Sequence, residues 1–575
     1  MKRGAALLAL GSLVAGFVLR GWGIGQGYPE FYGDVDEIGV AASIWSFFRA
    51  GTLRPTEFTY PGFYSYLTAA SVWLSGAAGL VPRLGSLRDS LVLASFVDPA
   101  WVALVGRSVS AVLSTLVIGI AYRLGCEAYD RRTGAIASLF TACASLPIGR
   151  AHMALPDSTM AFLAALCFYF SWKIAYRGAR LDYVLAGLCA GLVVATKYNG
   201  AFTALSLVAA HAMRCRSQGR GWRPTLFSPR LWTAVALAVA ALAAGSPYLI
   251  LAWEQYAAVA RYQVSSLDFA MGRTAPWWWV AEGLVRSEYA VGALMLAGMV
   301  WTMRKREPLD WLFLAAWVPS FLYIGSWTRE SLHYFLHFYP LLAINAARVL
   351  EAAAGKGQRY FRRLPLAYLL AGAGALPSAY LAWAGDAGLA KTDTRAVAAA
   401  WIEANVPAGA RLGMTWLPYC PRVALASVRQ GVMEYYRGNP HMQARLHEAW
   451  EDRPAYELVN LEAWLKQPVV PALYRGLVDL EDPETRRVFS RVWLEVDQLR
   501  ERGVEYLVLP EAVYGRYMAG PEPPAGTAAH YHYLRNSLYF ARLTDPDNPQ
   551  VRRVASLTPG PGIRGGAIHV FRLQP

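Results

Sequence analysis

Residues 133–168 read TGAIASLFTACASLPIGRAHMALPDSTMAFLAALCF, two apolar runs separated by a short polar turn near residues 150–157. A helix needs about 20 mostly apolar residues to cross the hydrocarbon core of a bilayer. The stretch therefore predicts two neighbouring spans joined by a tight turn. Similar runs recur along the first two thirds of the chain, so the sequence predicts a polytopic membrane protein.

Composition divides the chain into two parts that face different solvents. Only 17% of the 575 residues are charged, whereas a typical soluble domain has about 25%. The deficit lies in residues 1–385, and residues 386–575 mix Asp, Glu and Arg as soluble domains do. We therefore predict a mainly α-helical transmembrane domain over 1–385 and a soluble α/β domain over 386–575.

The charge and cysteine content exclude other classes. The net charge of +15 does not indicate nucleic acid, because much of the basic charge lies in short loops between apolar runs, where it orients helices in the membrane. The six cysteines form no CxxC pair, and five lie in or beside apolar runs. No disulfide framework or zinc site is predicted.

About eleven spans follow from the length criterion. They are 4–20, 100–124, 133–150, 157–176, 181–197, 199–214, 231–251, 288–303, 309–327, 332–350 and 364–384. With this set every Lys and Arg cluster falls on the cytoplasmic side, as the positive-inside rule requires. If the apolar run 62–82 also crossed the membrane, every later cluster of Lys and Arg would fall on the opposite face. We therefore expect it to lie at the outer interface without crossing.

This topology gathers the candidate functional residues on the non-cytoplasmic face of a multi-pass plasma-membrane protein, together with the C-terminal domain. The first outer loop contains FYGDVDE at residues 31–37. Asp36 could cap a helix that starts near Ile38, with Glu37 favoured by the helix dipole. Alternatively, Asp36 is a catalytic carboxylate.

Three further sites fall on the same face, and each has a structural alternative. Asp157 starts a span, where it could be an N-cap, and Lys197 lies between two spans, where it could be an interface anchor. Arg329 and His333 lie at the outer end of a late span. Arg107 lies one to two turns inside a span, where a charge faces a polar interior or snorkels to the interface.

These residue types suit one kind of reaction. A carboxylate can take a proton from an acceptor hydroxyl, and Lys or Arg can hold a departing phosphate. Grooves between spans can hold a lipid tail. The sequence has no P-loop and no GxGxxG followed by an acidic residue, so nucleotide-driven chemistry is not supported. The residues favour transfer of a group from a lipid phosphate to a hydroxyl.

Several stretches resemble the PMT-type glycosyltransferases of the GT-C fold, which include the protein O-mannosyltransferases and the lipid A aminoarabinose transferases. The matching stretches are FYGDVDEIGVAASI, FTYPGFYSYLTA, GRSVSAVLSTLVIGIAYRLG, residues 133–168, AGLCAGLVVATKYNGAFTAL and HYFLHFYPLLAINAAR. The resemblance implies an inverting transferase, mannosyltransferase-like, that uses a polyprenyl-phosphate-sugar donor and a protein, lipid or glycan acceptor. It also implies juxtamembrane helices in the first outer loop.

The resemblance assigns roles to particular residues. It makes Asp36 the catalytic base, with Glu37 and Asp157 as its acidic partners, and it places Lys197 near the donor phosphate. Some relatives carry Arg shortly after Asp-Glu, where this chain has Ile38, Gly39 and Val40, and some carry Glu-Lys-Pro where it has Thr59-Tyr60-Pro61. Both changes remove possible phosphate or metal contacts, so no cofactor is certain, although a divalent cation is possible.

Many relatives carry Arg-Tyr where this chain has His333-Tyr334, and Arg329, about one turn earlier, would supply that charge instead. Lys197, with Arg329 or Arg107, would then offset the charge of the phosphate, and His333 is a further candidate for binding it.

The C-terminal region has the pattern of a small α/β domain. Residues 392–406 have helical periodicity, and 411–415, 503–509 and 568–571 read as strands. His530 and His532 would lie on one side of a strand.

A transporter or flippase of lipid-linked sugars is the alternative function, but it should show internal repeats or paired broken helices, and the sequence displays neither.

Overall fold

The computed structural model describes the chain except residues 1, 31–32, 82–84, 270–276, 328, 358–364, 416–418, 471–473 and 575. It consists of two compact units. The first comprises Met1–Gly25, Gly33–Ser95 and Pro99–Ala390, and the second comprises Gln26–Tyr32, Phe96–Asp98 and Lys391–Pro575. Most of the chain is helical, with a smaller sheet region near the C-terminus, so the predicted fold class is confirmed.

The first unit is built from helices. They are α1 (Lys2–Gly21), α2 (Val35–Ala50), α3 (Phe63–Ala77), α4 (Leu87–Val97), α5 (Trp101–Ala128), α6 (Arg131–Cys143), α7 (Ser145–Ala151), α8 (Asp157–Tyr176), α9 (Arg180–Thr196), α10 (Ala204–Ser217), α11 (Trp222–Leu226), α12 (Pro229–Gly245), α13 (Tyr248–Leu251), α14 (Trp253–Phe269), α15 (Trp278–Lys305), α16 (Pro308–Ile324), α17 (Tyr339–Gly357) and α18 (Leu366–Leu389). Two 3-10 helices, Tyr198–Thr203 and Leu332–Phe338, precede α10 and α17.

Several of these helices can cross a membrane. Within the described part of the chain, six are long and apolar enough: Arg3–Gly21, Trp101–Ala128, Asp157–Tyr176, Trp222–Gly245, Trp278–Lys305 and Leu366–Leu389. The pair α6 and α7 would make a seventh, with a bend of 54° at the break. The remaining predicted spans fall on α9, α10, α16 and α17, which do not meet this criterion of length and composition, so the total of about eleven stays a prediction.

Two predicted spans begin with a 3-10 segment in place of an α-helix. The 3-10 segment Tyr198–Thr203 replaces the start of the predicted span 199–214, and Leu332–Phe338 replaces the start of 332–350. The run 62–82 forms α3, of 15 residues. At 1.5 Å per residue such a helix is shorter than the roughly 30 Å hydrocarbon core, in keeping with the predicted interfacial position.

An aromatic cluster holds the 3-10 segment Leu332–Phe338 in place. Trp317 of α16 lies 5.1 Å from Phe338 and 5.2 Å from Phe335, measured between ring centroids. Phe168 of α8 lies 5.9 Å from Phe338. Phe335 and Phe338 are fully buried, and their packing fixes the segment that carries His333 against α8 and α16.

The second unit is an α/β domain. Its strands are β1 (Thr392–Asp393), β2 (Arg411–Met414), β3 (Ala424–Leu425), β4 (Ala455–Asn460), β5 (Glu462–Trp464), β6 (Arg491–Trp493), β7 (Tyr506–Pro510), β8 (Val551–Leu557), β9 (Ile563–Arg564) and β10 (Ile568–Leu573). Its helices are α19 (Thr394–Asn405), α20 (Ala426–Tyr435), α21 (Pro440–Trp450), α22 (Pro483–Ser490), α23 (Val496–Glu501), α24 (Glu511–Met518) and α25 (Ala528–Thr544).

Six of these strands form one mixed sheet in the order β3-β4-β2-β7-β10-β8. The first four strands run parallel to one another, and β10 runs antiparallel to both β7 and β8. The predicted helix and the three predicted strands are all present, with ends that differ by a few residues. The predicted strand at His530 and His532 is wrong, because both residues lie in α25.

Candidate active site

Asp34, and not Asp36, caps the first outer helix. The Asp34 carboxylate accepts a hydrogen bond from the N–H of Asp36 at 2.9 Å, and the N–H of Asp34 donates to Glu37 Oε2 at 3.0 Å, which makes a capping box. The expected helix start near Ile38 is wrong, because α2 begins at Val35. Asp36 therefore lies in the first turn with an exposed side chain that capping does not occupy.

Glu37 and Arg107 form a buried ion pair between α2 and α5. Nη2 and Nε of Arg107 lie 2.7 and 2.9 Å from the two Glu37 carboxylate oxygens, and the side chains are 2% and 0% exposed. Arg107 also donates to the Ile24 carbonyl, and Glu37 accepts the N–H of Ala154 in the outer turn. Neither snorkelling nor donor phosphate binding fits an Arg107 guanidinium held in this way.

Gly33 leaves the space that this ion pair needs. A Cβ at Gly33 would lie 1.5 Å from Glu37 Oε2 and 2.3 Å from Arg107 Nη2. No heavy atoms approach that closely without a bond, so any side chain at this position would displace the pair. The glycine in the FYGDVDE stretch is therefore required by packing around Glu37.

Asp157 and Lys197 form a second ion pair, close to the start of α8. Asp157 is the first residue of α8, where the helix dipole favours a negative charge, and Lys197 follows the last residue of α9. Lys197 Nζ lies 2.8 Å from Asp157 Oδ1. The side chains are 7% and 1% exposed, so Lys197 is not a snorkelling anchor, and Asp157 does not cap α8 with its side chain.

Tyr60 connects Asp36 with the Asp157–Lys197 pair. Its hydroxyl donates to Asp36 Oδ2 at 2.9 Å, and Lys197 Nζ lies 5.3 Å from the centroid of its ring. Burial, together with the negative charges of Asp36 and Asp157, raises the pKa of Tyr60 well above its ordinary value. The phenol therefore stays protonated and donates to Asp36. Sequence reasoning noted Tyr60 only as a departure from relatives and missed this contact.

Arg150 and His333 add positive and neutral nitrogen donors next to Asp157. Arg150 Nη2 lies 2.8 Å from His333 Nδ1. Because arginine can only donate, Nδ1 accepts, and His333 is neutral with its proton on Nε2. The positive charges of Lys197 and Arg150 both act on the Asp157 carboxylate. Arg150 was not predicted as a site residue. Its position at the end of the predicted span 133–150 could have indicated it, because charges at such positions often have a functional role.

Arg150 and Arg329 extend the positive field across the site. Burial raises the pKa of Asp34, and the charge of Arg150 counteracts that rise. Arg329 is exposed, and its charge acts on His333 and Tyr334. The predicted residues thus fall into two groups. Asp36, Asp157, Lys197, His333 and Arg329 share one site with Tyr60 and Arg150, whereas Glu37 and Arg107 lie beneath it.

Two buried acceptors in the site have unused hydrogen-bonding capacity. Within the described residues, Asp157 Oδ2 and Asn199 Oδ1 have no hydrogen-bond partner, although Asn199 Nδ2 donates to the Tyr334 carbonyl at 2.7 Å. An unsatisfied buried acceptor costs about 1–3 kcal/mol. Such atoms fit a ligand that carries hydroxyl groups.

The donor set does not resemble a divalent cation site. Across the described part of the chain, no three His, Cys, Asp or Glu side chains are grouped as cation ligands. Asp157 is neutralised directly by the Lys197 ammonium at 2.8 Å, and the nearby Arg150 adds a second positive charge. Divalent cations prefer several carboxylate or carbonyl oxygens in one place.

One family model matches part of the chain. A family model described as dolichyl-phosphate-mannose-protein mannosyltransferase matches residues 91–250, which include Arg107, Arg150, Asp157 and Lys197. A comparison with curated proteins finds no match.

Two solved structures of an archaeal oligosaccharyltransferase share the fold. Archaeal oligosaccharyltransferase AglB from Archaeoglobus fulgidus, in complex with an inhibitory peptide and a dolichol-phosphate, matches with a TM-score of 0.50 at 14% identity, over 96% of this chain and 80% of that chain. The A. fulgidus enzyme tethered with an acceptor peptide gives 0.51 at 13% identity with the same coverage. ArnT from Cupriavidus metallidurans bound to undecaprenyl phosphate gives 0.47 at 16% identity, over 88% and 93%.

The fold is that of the GT-C glycosyltransferases, a class of multi-pass membrane proteins. The family model over residues 91–250 confirms the resemblance to the PMT-type group that was inferred from the sequence. The matched family is one of glycosyltransferases and not of transporters or flippases.

Proposed function

We propose that this chain is an inverting glycosyltransferase that moves one sugar from a polyprenyl-phosphate-sugar to a hydroxyl acceptor. The observation that supports this most is the meeting of Asp36, Asp157 and Lys197, from three distant stretches of the chain, around Tyr60. The exposed carboxylate of Asp36 can act as a base, and the nearby buried ammonium of Lys197 can bind a phosphate.

In this proposal Asp36 is the general base. The acceptor hydroxyl donates to Asp36 and attacks the anomeric carbon, so that an acceptor–carbon bond forms while the carbon–phosphate oxygen bond breaks. The phosphate leaves with the electron pair, and the hydroxyl proton passes to Asp36. Attack from the face opposite the leaving group inverts the anomeric configuration. Tyr60 orients Asp36 through its 2.9 Å hydrogen bond.

The positive groups take the negative charge that develops on the phosphate. Lys197, Arg329 and Arg150 supply the positive charge, and neutral His333, which lies next to Arg150, can donate a hydrogen bond from Nε2. Donors held in place before the reaction stabilise a leaving group without reorganisation. Asp157 has a free buried oxygen, Oδ2, that would accept a hydroxyl of the donor sugar.

Glu37 and Arg107 act as positioning residues in the same proposal. Their side chains are almost fully buried, and they connect the helix that carries Asp36 to α5 and to the turn before Asp157. The pair therefore sets the separation of Asp36 from Asp157.

We place the reaction on the non-cytoplasmic face of the plasma membrane, with the C-terminal unit on that side, because the basic loop clusters assign the opposite face to the cytoplasm. A mannose-like hexose is the first donor to test, since the matching family model describes mannosyltransferases. The acceptor class is a protein, a lipid or a glycan with a free hydroxyl.

The proposal is tested with purified protein in proteoliposomes that contain a polyprenyl-phosphate-mannose labelled in the sugar. Transfer that requires an added hydroxyl acceptor, with inverted configuration of the product by NMR, is the expected result. Movement of intact labelled lipid between leaflets without cleavage would instead identify a flippase, and would overturn the assignment.

Removing the Lys197 charge should slow transfer strongly. Lys197→Met is expected to lower kcat by roughly 10²–10³, the effect of deleting one donor to a developing oxyanion. The substitution also leaves Asp157 buried without its partner, which destabilises the fold. Asp157→Asn/Lys197→Met removes that uncompensated charge, so it should recover thermal stability but not the rate. Recovery of both would mean that Lys197 serves only to balance Asp157.

The hydrogen bond from Tyr60 should contribute a smaller amount. Tyr60→Phe is expected to lower kcat about tenfold, since a hydrogen bond to a charged group is worth about 1.5 kcal/mol or more and 1.36 kcal/mol corresponds to tenfold. Tyr66→Phe is the matched control, because the Tyr66 hydroxyl donates to the Leu53 carbonyl away from the site. Equal initial rates for the two variants would remove Tyr60 from the mechanism.

A further inference from the structure

A wide groove lies between α10, the last turn of α15 and α16, and it shares no residue with the candidate active site. Its volume is about 1250 Å³. The walls are mostly apolar and include Met213, Met303, Leu314 and Val318. Arg216 and Arg306 lie at its rim, in the two loop clusters that the positive-inside rule assigns to the cytoplasm. The groove therefore opens toward the predicted inner leaflet.

The rim arginines carry uncompensated charge. Among the residues that the structure describes, neither Arg216 nor Arg306 has a carboxylate partner within ion-pair distance. Arg348 on the same predicted side, by contrast, is paired with Asp310 and Glu307. Two arginine side chains at the rim of an apolar groove would attract an amphipathic anion, which has a negative head group and an apolar tail.

Arg306 is held in a fixed position at the rim. Its Nε donates to the Met303 carbonyl at 3.0 Å, and its guanidinium carbon lies 6.0 Å from the ring centroid of Trp311. Trp311 is 46% exposed, and tryptophan is enriched at the level of lipid head groups. An arginine next to an exposed tryptophan is a combination typical of the level of lipid head groups.

We propose that this groove binds one anionic glycerophospholipid of the cytoplasmic leaflet. The phosphate lies between Arg216 and Arg306, and the acyl chains lie along Met213, Leu314 and Val318. Basic pockets between membrane helices on the cytoplasmic side select anionic head groups because the unpaired positive charges attract them over zwitterionic ones. The long apolar wall supplies the contact for the chains. This binding is independent of the proposed sugar transfer.

The test is native mass spectrometry of the purified full-length chain titrated with phosphatidylglycerol or with phosphatidylcholine. We expect a single phosphatidylglycerol adduct at a concentration at least tenfold lower than that needed for phosphatidylcholine. Arg216→Gln/Arg306→Gln should weaken the adduct at least tenfold. Arg220→Gln/Arg304→Gln, which removes the same charge from exposed positions outside the groove lining, should leave it unchanged.

A second variant separates lipid binding from loss of fold. Ala315→Phe fills the groove without changing the charge, and it should weaken the adduct while the protein keeps its thermal stability. Equal affinity for the two lipids, or equal loss in both arginine double variants, would overturn the proposal. Displacement of phosphatidylglycerol by a polyprenyl phosphate at equal concentration would also overturn it, because the groove would then belong to the donor lipid.

Discussion

Asp36→Asn is expected to lower the rate of sugar transfer by about 10²–10⁴, the usual contribution of a positioned general base. Asparagine keeps the shape of the side chain and can still interact with the Tyr60 hydroxyl, but it cannot take the proton of the acceptor. Asp36 is exposed and does not cap its helix, so folding should be unaffected. Initial rates with labelled polyprenyl-phosphate-sugar and thermal unfolding of the same preparation measure the two quantities.

Asp34→Asn is the matched control for this prediction. It removes a carboxylate two residues away, while asparagine caps a helix about as well as aspartate. Asp34→Asn should therefore keep near-normal transfer. If both variants lost activity equally, the loss would reflect the negative charge of the loop and not a base at Asp36. A fully active Asp36→Asn protein would remove Asp36 from the mechanism.

The sequence alone predicted that Asp36, Asp157 and Lys197 lie on one face of the membrane, from the apolar spans and from the basic clusters between them. Clusters of Lys and Arg orient the spans, and that orientation places Asp36, Asp157 and Lys197 on the same side. The topology was therefore assigned without using the three site residues. The ion pair between Asp157 and Lys197, 40 positions apart, follows because α8 begins, and α9 ends, at the face predicted to be the outer one.

The partners of these residues could not be predicted, because local patterns do not specify contacts between distant segments. Tyr60 reaches Asp36 across 24 positions, and Arg150 reaches His333 across 183. The helix start was also ambiguous, since Asp34 and Asp36 are both suitable N-cap residues. Tertiary contacts decide in favour of Asp34, because Glu37 must point inward to Arg107 for the capping box and the ion pair to form together.

The orientation of Glu37 leads to the largest expected effect on stability. Glu37→Gln leaves the Arg107 guanidinium buried without its counterion, and breaking a buried pair from one side costs about 3–5 kcal/mol. The free energy of unfolding in detergent should fall by that amount. Transfer should fall as well, since the helix that carries Asp36 loses its connection to α5. Thermal or denaturant unfolding, followed by rates on the surviving folded fraction, measures both.

The double variant Glu37→Met/Arg107→Met distinguishes a structural role from a chemical one. Replacing both members of a buried pair by apolar residues of similar volume is often neutral, so stability should recover to within about 1 kcal/mol of the parent. If Glu37 and Arg107 only position α2, part of the transfer activity should return with it. A stable double variant without any activity would show that the Arg107 charge itself acts on the donor phosphate, and the role first inferred from the sequence would be restored.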